Sequence, residues 1–150
     1  MPTPEEILAA ARQRARDNGL PYEGALLPAE AAELMKSHPK AMLVDVRSRA
    51  EWDFVGRVPG AVEIEWKSYP GMAANTRFLE ELTAKVPQDA IAMFLCRSGG
   101  RSHDTAAVAA RTGYAAAFNI LEGFEGDRDG AGHRNTISGW RAAGLPWVQS

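Results

Sequence analysis

Short uninterrupted apolar runs, separated by turn residues, dominate the hydrophobic pattern of this chain. The two clearest runs span residues 42–46 and 91–95. Runs of this length without polar alternation are typical of strands that are covered on both faces of a parallel sheet. Weaker runs at 26–27, 61–64 and 117–121 complete a predicted set of five strands.

Helical segments are predicted between these strands, and capping residues mark several of their ends. Thr3-Pro4-Glu5-Glu6 is a strong helix start, and this first helix is expected to end at Asn18-Gly19. Its arginines Arg12, Arg14 and Arg16 are expected to face solvent. Further helices are predicted over 28–37, 48–55, 75–85 and 103–111. Strands that alternate with helices through short connections indicate a three-layer α/β fold, with a mostly parallel five-stranded sheet flanked by helices.

The chain length of 150 residues suits one domain with a sizeable core and leaves no room for a second catalytic domain. We predict a helical extension over 1–20 and a single domain over 21–150. The segment 125–138 is rich in glycine and charge, which predicts a mobile surface loop. Its first residues are similar to the opening of a calcium loop. Thr136 stands where that loop needs a bidentate glutamate, so calcium binding is not predicted.

Charge and cysteine content exclude several classes of function. A formal net charge of -2 gives no basis for a nucleic-acid or membrane partner. The amino terminus has acidic residues and no long apolar run, so no targeting or membrane segment is predicted and a cytoplasmic location is expected. The single cysteine, Cys96, excludes an internal disulfide and a CxxC metal or dithiol site, and no cofactor is predicted.

The sequence around Cys96 has the features of an anion site beside a thiolate. Cys96 follows the apolar run 91–95, at the sheet edge where open α/β folds bind ligands. Ser102 stands where a helix N-cap is preferred, and the first turn of the following helix supplies unpaired N–H groups and a positive dipole end. This positive environment is expected to favour the thiolate form of Cys96.

The residues predicted to bind substrate are Arg97, Ser98, Gly99, Gly100, Arg101 and Ser102. The two glycines can adopt positive φ and turn successive N–H groups towards an anion. The two arginines can supply fixed charge for an oxyanion, and the two serines can donate further hydrogen bonds. In the alternative interpretation, Cys96 is an ordinary small buried residue and Gly-Gly is a simple turn.

The loop Cys-Arg-Ser-Gly-Gly-Arg-Ser at 96–102 closely resembles the active-site loop of rhodaneses, sulfurtransferases in which a cysteine carries a persulfide. Further stretches are similar to the amino-terminal and carboxyl-terminal signatures of that family. They are, in chain order, 43–47 with Glu51-Trp52, 56–61, 121–124 and 139–146. The segment 125–138 interrupts the second signature. The resemblance implies a single rhodanese-like domain.

The resemblance also implies a reaction, that of a thiosulfate sulfurtransferase. Cys96 would be the catalytic residue, taking sulfane sulfur from thiosulfate or a persulfide donor and storing it as a persulfide. A small thiol, cyanide or a protein would then accept the sulfur. The resemblance implies that the connection containing Trp66 passes close to the mouth of the site. Trp66 then either lines the pocket or is an ordinary aromatic residue packed at the surface. Trp52 and Phe54 are predicted to be core residues.

Asp45 and Arg47 are predicted to support the site, because they lie at the end of the strand 42–46, on the same sheet edge as Cys96. Asp45 has two interpretations. The favoured one is an acceptor for loop N–H groups or for an arginine. The other is a general base, which a thiolate already stabilised by its loop does not need.

Two other functions are compatible with the sequence. One is a rhodanese-like module that delivers sulfur or contacts proteins with little turnover of its own. The other is a phosphatase or arsenate reductase on a related scaffold, which resembles this chain in having Cys and Arg around an anion. Those phosphatases have a Cys-x5-Arg loop, whereas Arg101 gives Cys-x4-Arg here. The shorter loop favours the smaller sulfane sulfur over a tetrahedral phosphate.

Overall fold

A five-stranded sheet forms the centre of the fold in the computed structural model, which describes residues 2–149. The strands of this sheet are β1 (Gly24–Leu26), β2 (Ala41–Asp45), β3 (Val62–Glu63), β6 (Ile91–Leu95) and β7 (Ala117–Ile120), and a separate hairpin consists of β4 (Lys67–Ser68) and β5 (Ala73–Ala74). The helices are α1 (Pro4–Asn18), α2 (Pro28–Ser37), α3 (Arg49–Phe54), α4 (Phe78–Lys85) and α5 (Gly100–Arg111). The sheet has the order β1-β7-β6-β2-β3 with every neighbouring pair parallel, which confirms the predicted α/β class.

Two apolar layers cover the sheet, because successive side chains of a strand point to opposite faces. Met93 and Leu95 pack with buried residues of α1 and α2, whereas Phe94 and Cys96 pack with buried residues of α4 and α5. Burial on both faces explains why β6 is an apolar run without polar alternation. The predicted three layers are therefore confirmed.

The carboxyl ends of three neighbouring strands meet at one edge of the sheet. Asp45 of β2 lies beside Leu95 of β6, and Phe94 lies beside Asn119 of β7. The chain leaves β6 at Cys96 and enters the loop to α5 at this edge. Parallel sheets bind ligands at such an edge, so the strand register brings the predicted site residues together.

The first helix packs on the flank of the domain as predicted, between a Thr3 capping box and a left-handed Gly19 at φ 61°. The expectation that Arg14 faces solvent is wrong. Its guanidinium donates to both carboxylate oxygens of Glu30, at 2.7 and 2.9 Å. It also donates at 2.8 Å to the carbonyl oxygen of Ala25, on the edge strand β1. This bonding ties α1 and α2 to the edge of the sheet.

The aromatic residues of the 50–70 region differ in burial from the prediction. Trp52 is buried, as expected, but Phe54 is 79% exposed. The two residues are two positions apart on α3, so they cannot face the same side of the helix. Trp66 packs edge-on against Phe78 with ring centroids 5.0 Å apart, which favours the interpretation as a packed aromatic.

The hairpin of β4 and β5 was not predicted, because its two-residue strands have no apolar alternation to mark them. It occupies part of the connection that was expected to lead directly into a helix, and α4 begins at Phe78, three residues later than predicted. No helix within residues 2–149 has both the length and the apolar character needed to cross a membrane. The division of the chain at residue 20 stays a prediction, and its outer bounds, Met1 and Ser150, lie outside the described residues.

Candidate active site

The side chain of Cys96 lies between an apolar layer and the polar loop that follows β6. The residue is only 1% exposed and packs in the same cluster as Val46 and Phe94. On its other side, the backbone N–H of Gly99 donates to Sγ at 3.1 Å, and the Oγ of Ser102 lies 3.3 Å from Sγ. The sulfur therefore lies at the base of the loop, with a backbone N–H directed at it and a hydroxyl oxygen beside it, an environment that a purely apolar core cysteine lacks.

The loop turns through one glycine rather than two. Gly99 has φ 110° and is the N-cap of α5, whereas Gly100 is the first helical residue and does not have positive φ. Ser102 was expected to be the N-cap, and that expectation is wrong because the helix starts earlier, at Gly100. Ser102 is instead fully buried within the first turn of α5. From there its hydroxyl reaches the sulfur of Cys96.

The two arginines of the loop have different environments. Arg101 donates to both carboxylate oxygens of Glu51, at 2.7 and 2.9 Å. Burial opposes the charge on Glu51, but hydrogen bonds from Arg101 and from Ser48 lower its pKa from an ordinary value of 4.5 to about 2. Arg97 is exposed and forms no ion pair within residues 2–149. Of the two loop arginines, Arg97 is therefore the one whose guanidinium is not paired with a carboxylate of the described residues.

Asp45 and Arg47 form an ion pair in which both side chains are 0% exposed. Arg47 donates to Asp45 through its Nη2 at 2.8 Å and through its Nε at 3.0 Å. It also donates to the carbonyl oxygen of Gly56 at 2.8 Å and lies over the ring of Phe124 at 4.2 Å. Asp45 accepts hydrogen bonds from an arginine, as its favoured interpretation expects, and a carboxylate held in this way is poorly placed to act as a base. That this pair supports the site stays a prediction.

A chain of polar side chains behind the loop was missed by the sequence prediction. The Oδ1 of Asn119 is 2.5 Å from Ser102 Oγ, and its Nδ2 is 3.3 Å from Tyr22 Oη. Tyr22 Oη is in turn 2.8 Å from Nδ1 of His103. The signal that could have revealed Asn119 is its polarity within the apolar run 117–121, because a buried amide needs partners.

The turn after β7 fixes the backbone of the reactive loop. The N–H of Phe124 donates to the Cys96 carbonyl at 2.8 Å, and the N–H of Glu125 donates to the Arg97 carbonyl at 3.0 Å. Gly123 makes this close approach possible, since a Cβ built there would lie 2.5 Å from the carbonyl carbon and oxygen of Arg97. The family-like stretch 121–124 is therefore a direct support of the loop.

The segment 125–138 has internal hydrogen bonds that give it a defined path. Arg134 donates to the carbonyl oxygen of Gly126 at 2.6 Å. The carboxylate of Asp129 accepts from the backbone N–H of His133 at 2.9 Å and from the hydroxyl of Thr136 at 2.8 Å. Thr136 thus acts as a partner of Asp129 within a turn. The predicted mobility of this segment stays a prediction.

Cavities border the reactive loop. A cleft of about 810 Å³ is lined by Arg97, Arg101 and Glu51 together with the exposed side chains of Phe54, Tyr69 and Met72. A second cavity, of about 550 Å³, is lined by Ser98, Gly99, Gly100, Tyr22, His103 and Asn119, among others. A third, of about 540 Å³, lies between Ser98 and residues 127–134. All six predicted substrate-binding residues except the buried Ser102 therefore line a cavity.

Known proteins with similar sequences agree with this architecture. The family model described as "Rhodanese-like domain" matches residues 27–128. The chain is 44% identical to Rv0390 of M. tuberculosis, and its structure superposes on the crystal structure of that protein with a TM-score of 0.79. The match covers 86% of this chain and 99% of that one. It is 36% identical over 124 residues to the uncharacterized protein RC0915 of Rickettsia conorii, covering 79% of this chain and 91% of that protein.

The name of a third relative includes a probable activity. The probable adenylyltransferase/sulfurtransferase MoeZ of Mycobacterium tuberculosis is 33% identical over 98 residues, which are 65% of this chain and 23% of MoeZ. The family resemblance is confirmed by this match, which includes the cysteine loop, the strands β2, β6 and β7 around it and the stretches 43–47, 56–61 and 121–124, whereas the stretch 139–146 lies beyond the matched residues. The chain belongs to the rhodanese-like domain family.

Proposed function

We propose that this protein is a sulfurtransferase in which Cys96 accepts a sulfane sulfur and holds it as a persulfide. The observation on which the proposal depends is the pair of polar contacts to Sγ, from the N–H of Gly99 at 3.1 Å and from the Oγ of Ser102 at 3.3 Å. The Gly99 N–H, and the Ser102 hydroxyl when it donates to Sγ, stabilise negative charge on the sulfur, both as the attacking thiolate and as the persulfide.

In the first half-reaction, the Cys96 thiolate attacks the outer sulfur of thiosulfate. A new S–S bond forms to Cys96, the S–S bond of thiosulfate breaks, and its electron pair leaves with sulfite. The exposed guanidinium of Arg97 supplies positive charge for the sulfite oxygens. Arg101 has a different part in this proposal: because it donates to both oxygens of Glu51, it fixes the loop to α3.

In the second half-reaction, a thiolate or cyanide attacks the outer sulfur of the persulfide. The S–S bond at Cys96 breaks, and the electron pair returns to Cys96 as a thiolate. The acceptor must come from outside the chain, because Cys96 is the only cysteine in the sequence. The kinetics are therefore expected to be of the ping-pong type.

MoeZ, named a probable adenylyltransferase/sulfurtransferase, supports this proposal through 33% identity over 98 residues, which are 23% of MoeZ. The geometry of the loop argues against the phosphatase alternative. The arginine that corresponds to that of the phosphatases, Arg101, closes a shorter Cys-x4-Arg loop, and its guanidinium is bonded to Glu51. The sulfur-carrier alternative shares the first half-reaction and differs only in turnover.

Intact-mass spectrometry after incubation with thiosulfate tests the proposal. We expect the wild-type chain to gain the mass of one sulfur atom and to lose it on addition of cyanide, with thiocyanate as the product. Cys96→Ser should gain nothing and keep the fold, since Ser is close in size to the buried Cys. A wild-type chain that gains no sulfur from thiosulfate or from an organic persulfide contradicts the proposal. Repeated cyanolysis cycles distinguish an enzyme from a carrier, and a phosphate ester assayed in parallel should not be hydrolysed.

A further inference from the structure

The chain of polar side chains behind the loop connects the sulfur of Cys96 to an imidazole at a cavity. It runs from Sγ through Ser102, Asn119 and Tyr22 to Nδ1 of His103, with the four contacts at 3.3, 2.5, 3.3 and 2.8 Å. Ser102 and Asn119 are almost wholly buried, so their hydroxyl and amide rely mainly on protein groups for hydrogen bonds, among them the Gly99 carbonyl oxygen, which lies 3.4 Å from Asn119 Nδ2. The direction in which these hydrogen bonds are donated is therefore decided within the chain itself.

The hydrogen bonds of this chain of side chains can be donated in two possible directions, which the Ser102 hydroxyl decides. The hydroxyl has a single hydrogen, so it can be donated either to Asn119 Oδ1 or to Cys96 Sγ. The short 2.5 Å contact matches donation to Asn119. In that arrangement Ser102 presents a lone pair to the sulfur, which suits a protonated thiol. Asn119 then donates to Tyr22, and Tyr22 donates to an unprotonated Nδ1 of His103.

An anionic sulfur favours the opposite direction, because it can only accept hydrogen bonds and the Gly99 N–H is then joined by a second donor. The Ser102 hydroxyl must then donate to Sγ, and Asn119 must present its NH₂ group to Ser102 by rotating its amide. Tyr22 donates to the amide oxygen that now faces it, and Nδ1 of His103 must donate to Tyr22. A protonated imidazole always has a hydrogen on Nδ1, so it fits only this second direction.

We propose that His103, Tyr22 and Asn119 are positioning residues that act through Ser102 and couple the proton on His103 to the charge on Cys96. The inference extends the proposed function, since the charged sulfur is the reactive form there. His103 is half-buried and lines the cavity of about 550 Å³, which gives its ring a route for proton exchange with solvent. Burial raises the pKa of Tyr22, which keeps its hydroxyl protonated as the link requires.

Other charged groups lie near the two ends, and most of them are paired. On the sulfur side they are Arg101 paired with Glu51, from α5 and α3, and Asp45 paired with Arg47, at the end of β2. Around the cavity beside His103 they are Arg14 of α1, which is paired with Glu30, and Glu122 of the turn after β7. Asp104, next to His103, is exposed. None of these groups is a link in the hydrogen-bonded chain.

A pH titration of the ultraviolet absorbance of the thiolate tests the coupling. Because Cys96 is the only cysteine, subtracting the Cys96→Ser signal isolates its charge, and no reagent has to enter the loop. Between about pH 5 and about pH 9, a range that includes the usual histidine pKa, we expect a two-step curve for the wild type. Coupled groups titrate in this way. His103→Gln, which cannot ionise, should give a single step.

Tyr22→Phe removes the hydroxyl link with little change in shape. We expect the ratio of thiolate to thiol near neutral pH to fall about threefold to tenfold, which corresponds to one hydrogen bond. His133→Gln is the matched control, because His133 is exposed in the segment 125–138 and should give the wild-type curve. Curves for His103→Gln and Tyr22→Phe that coincide with the wild type overturn the inference, as does an equal change in His133→Gln.

The outcome is separable from that of the proposed function. The absorbance titration involves no sulfur donor, so the coupling can be present in a chain that never gains sulfur. Conversely, a chain that forms a persulfide while its two variants titrate like the wild type retains the proposed function and loses the coupling. Thermal melts of each variant identify any that fail to fold, and either of the two variants alone is enough to refute the inference.

Discussion

Gly123 offers the sharpest test of how the reactive loop is held. Its φ is 65°, in the left-handed region, and a Cβ there would lie 2.5 Å from the carbonyl carbon and oxygen of Arg97 and 2.6 Å from the carbonyl oxygen of Cys96. These are backbone atoms, so no flexible side chain can move aside. Gly123→Ala must therefore shift either the turn after β7 or the loop that begins at Cys96.

The expected destabilisation of Gly123→Ala has two parts. The left-handed conformation costs an alanine about 1–2 kcal/mol, and overpacking typically costs about 1–3 kcal/mol. The expected loss in free energy of unfolding is therefore about 2–5 kcal/mol. At about 2–4 °C for each kcal/mol in a chain of this size, Tm should fall by roughly 4–20 °C. The rate of persulfide formation should fall between about tenfold and a hundredfold, because the Gly99 donor moves with the loop.

Gly19→Ala provides the matched control. Gly19 has φ 61°, close to that of Gly123, but a Cβ there would meet nothing within 4 Å. This variant should therefore lose only the backbone part, about 1–2 kcal/mol, and form persulfide at the wild-type rate. Urea denaturation and timed mass spectra measure the two quantities. Equal destabilisation by both variants, together with an unchanged rate in Gly123→Ala, refutes the steric support of the loop by the turn.

Two further predictions concern ion pairs. Because the pKa of Glu51 is depressed, its pair with Arg101 stabilises the fold above about pH 4.5, by at most about 3 kcal/mol, and this stabilisation is lost as the pH falls towards about 2. In urea denaturation at a series of pH values, the free energy of unfolding of Glu51→Gln should therefore fall less steeply below about pH 4.5 than that of the wild type. Equal slopes for the two proteins would contradict this. Asp45→Asn should lower the free energy of unfolding by about 3–5 kcal/mol, because it leaves the fully buried Arg47 unpaired. Asp89→Asn breaks an exposed pair with Lys40 and should lower it by at most about 1 kcal/mol. Similar losses in the two variants, measured by urea denaturation, would argue against the buried pair as a source of stability.

The sheet and its helices were predictable because burial leaves a local signature. The run Ile91–Leu95 is apolar throughout since both of its faces are covered, and the end of α1 is marked by a glycine. The partners within the site had no such signature. Glu51 and Arg101 are 50 positions apart, and Tyr22 and Asn119 are 97 positions apart, so only the strand order brings them together.

The errors have local physical causes. Ser102 was assigned as the helix cap from residue preference, but the positive φ available to Gly99 starts α5 earlier. Phe54 was assigned to the core from its hydrophobicity alone, yet it is two positions from the buried Trp52 on a six-residue helix. In both cases the residue type was judged without the geometry of its neighbours.

The bonding of Arg14 has a consequence for how the molecule meets other copies of itself. An outer strand of a sheet normally presents unpaired backbone groups to which a strand of another chain can add. On β1 one such acceptor, the carbonyl oxygen of Ala25, is already occupied by the guanidinium of Arg14. The opposite border is formed by β3, which is only two residues long. Neither border offers a long template, so the fold resists aggregation by strand addition.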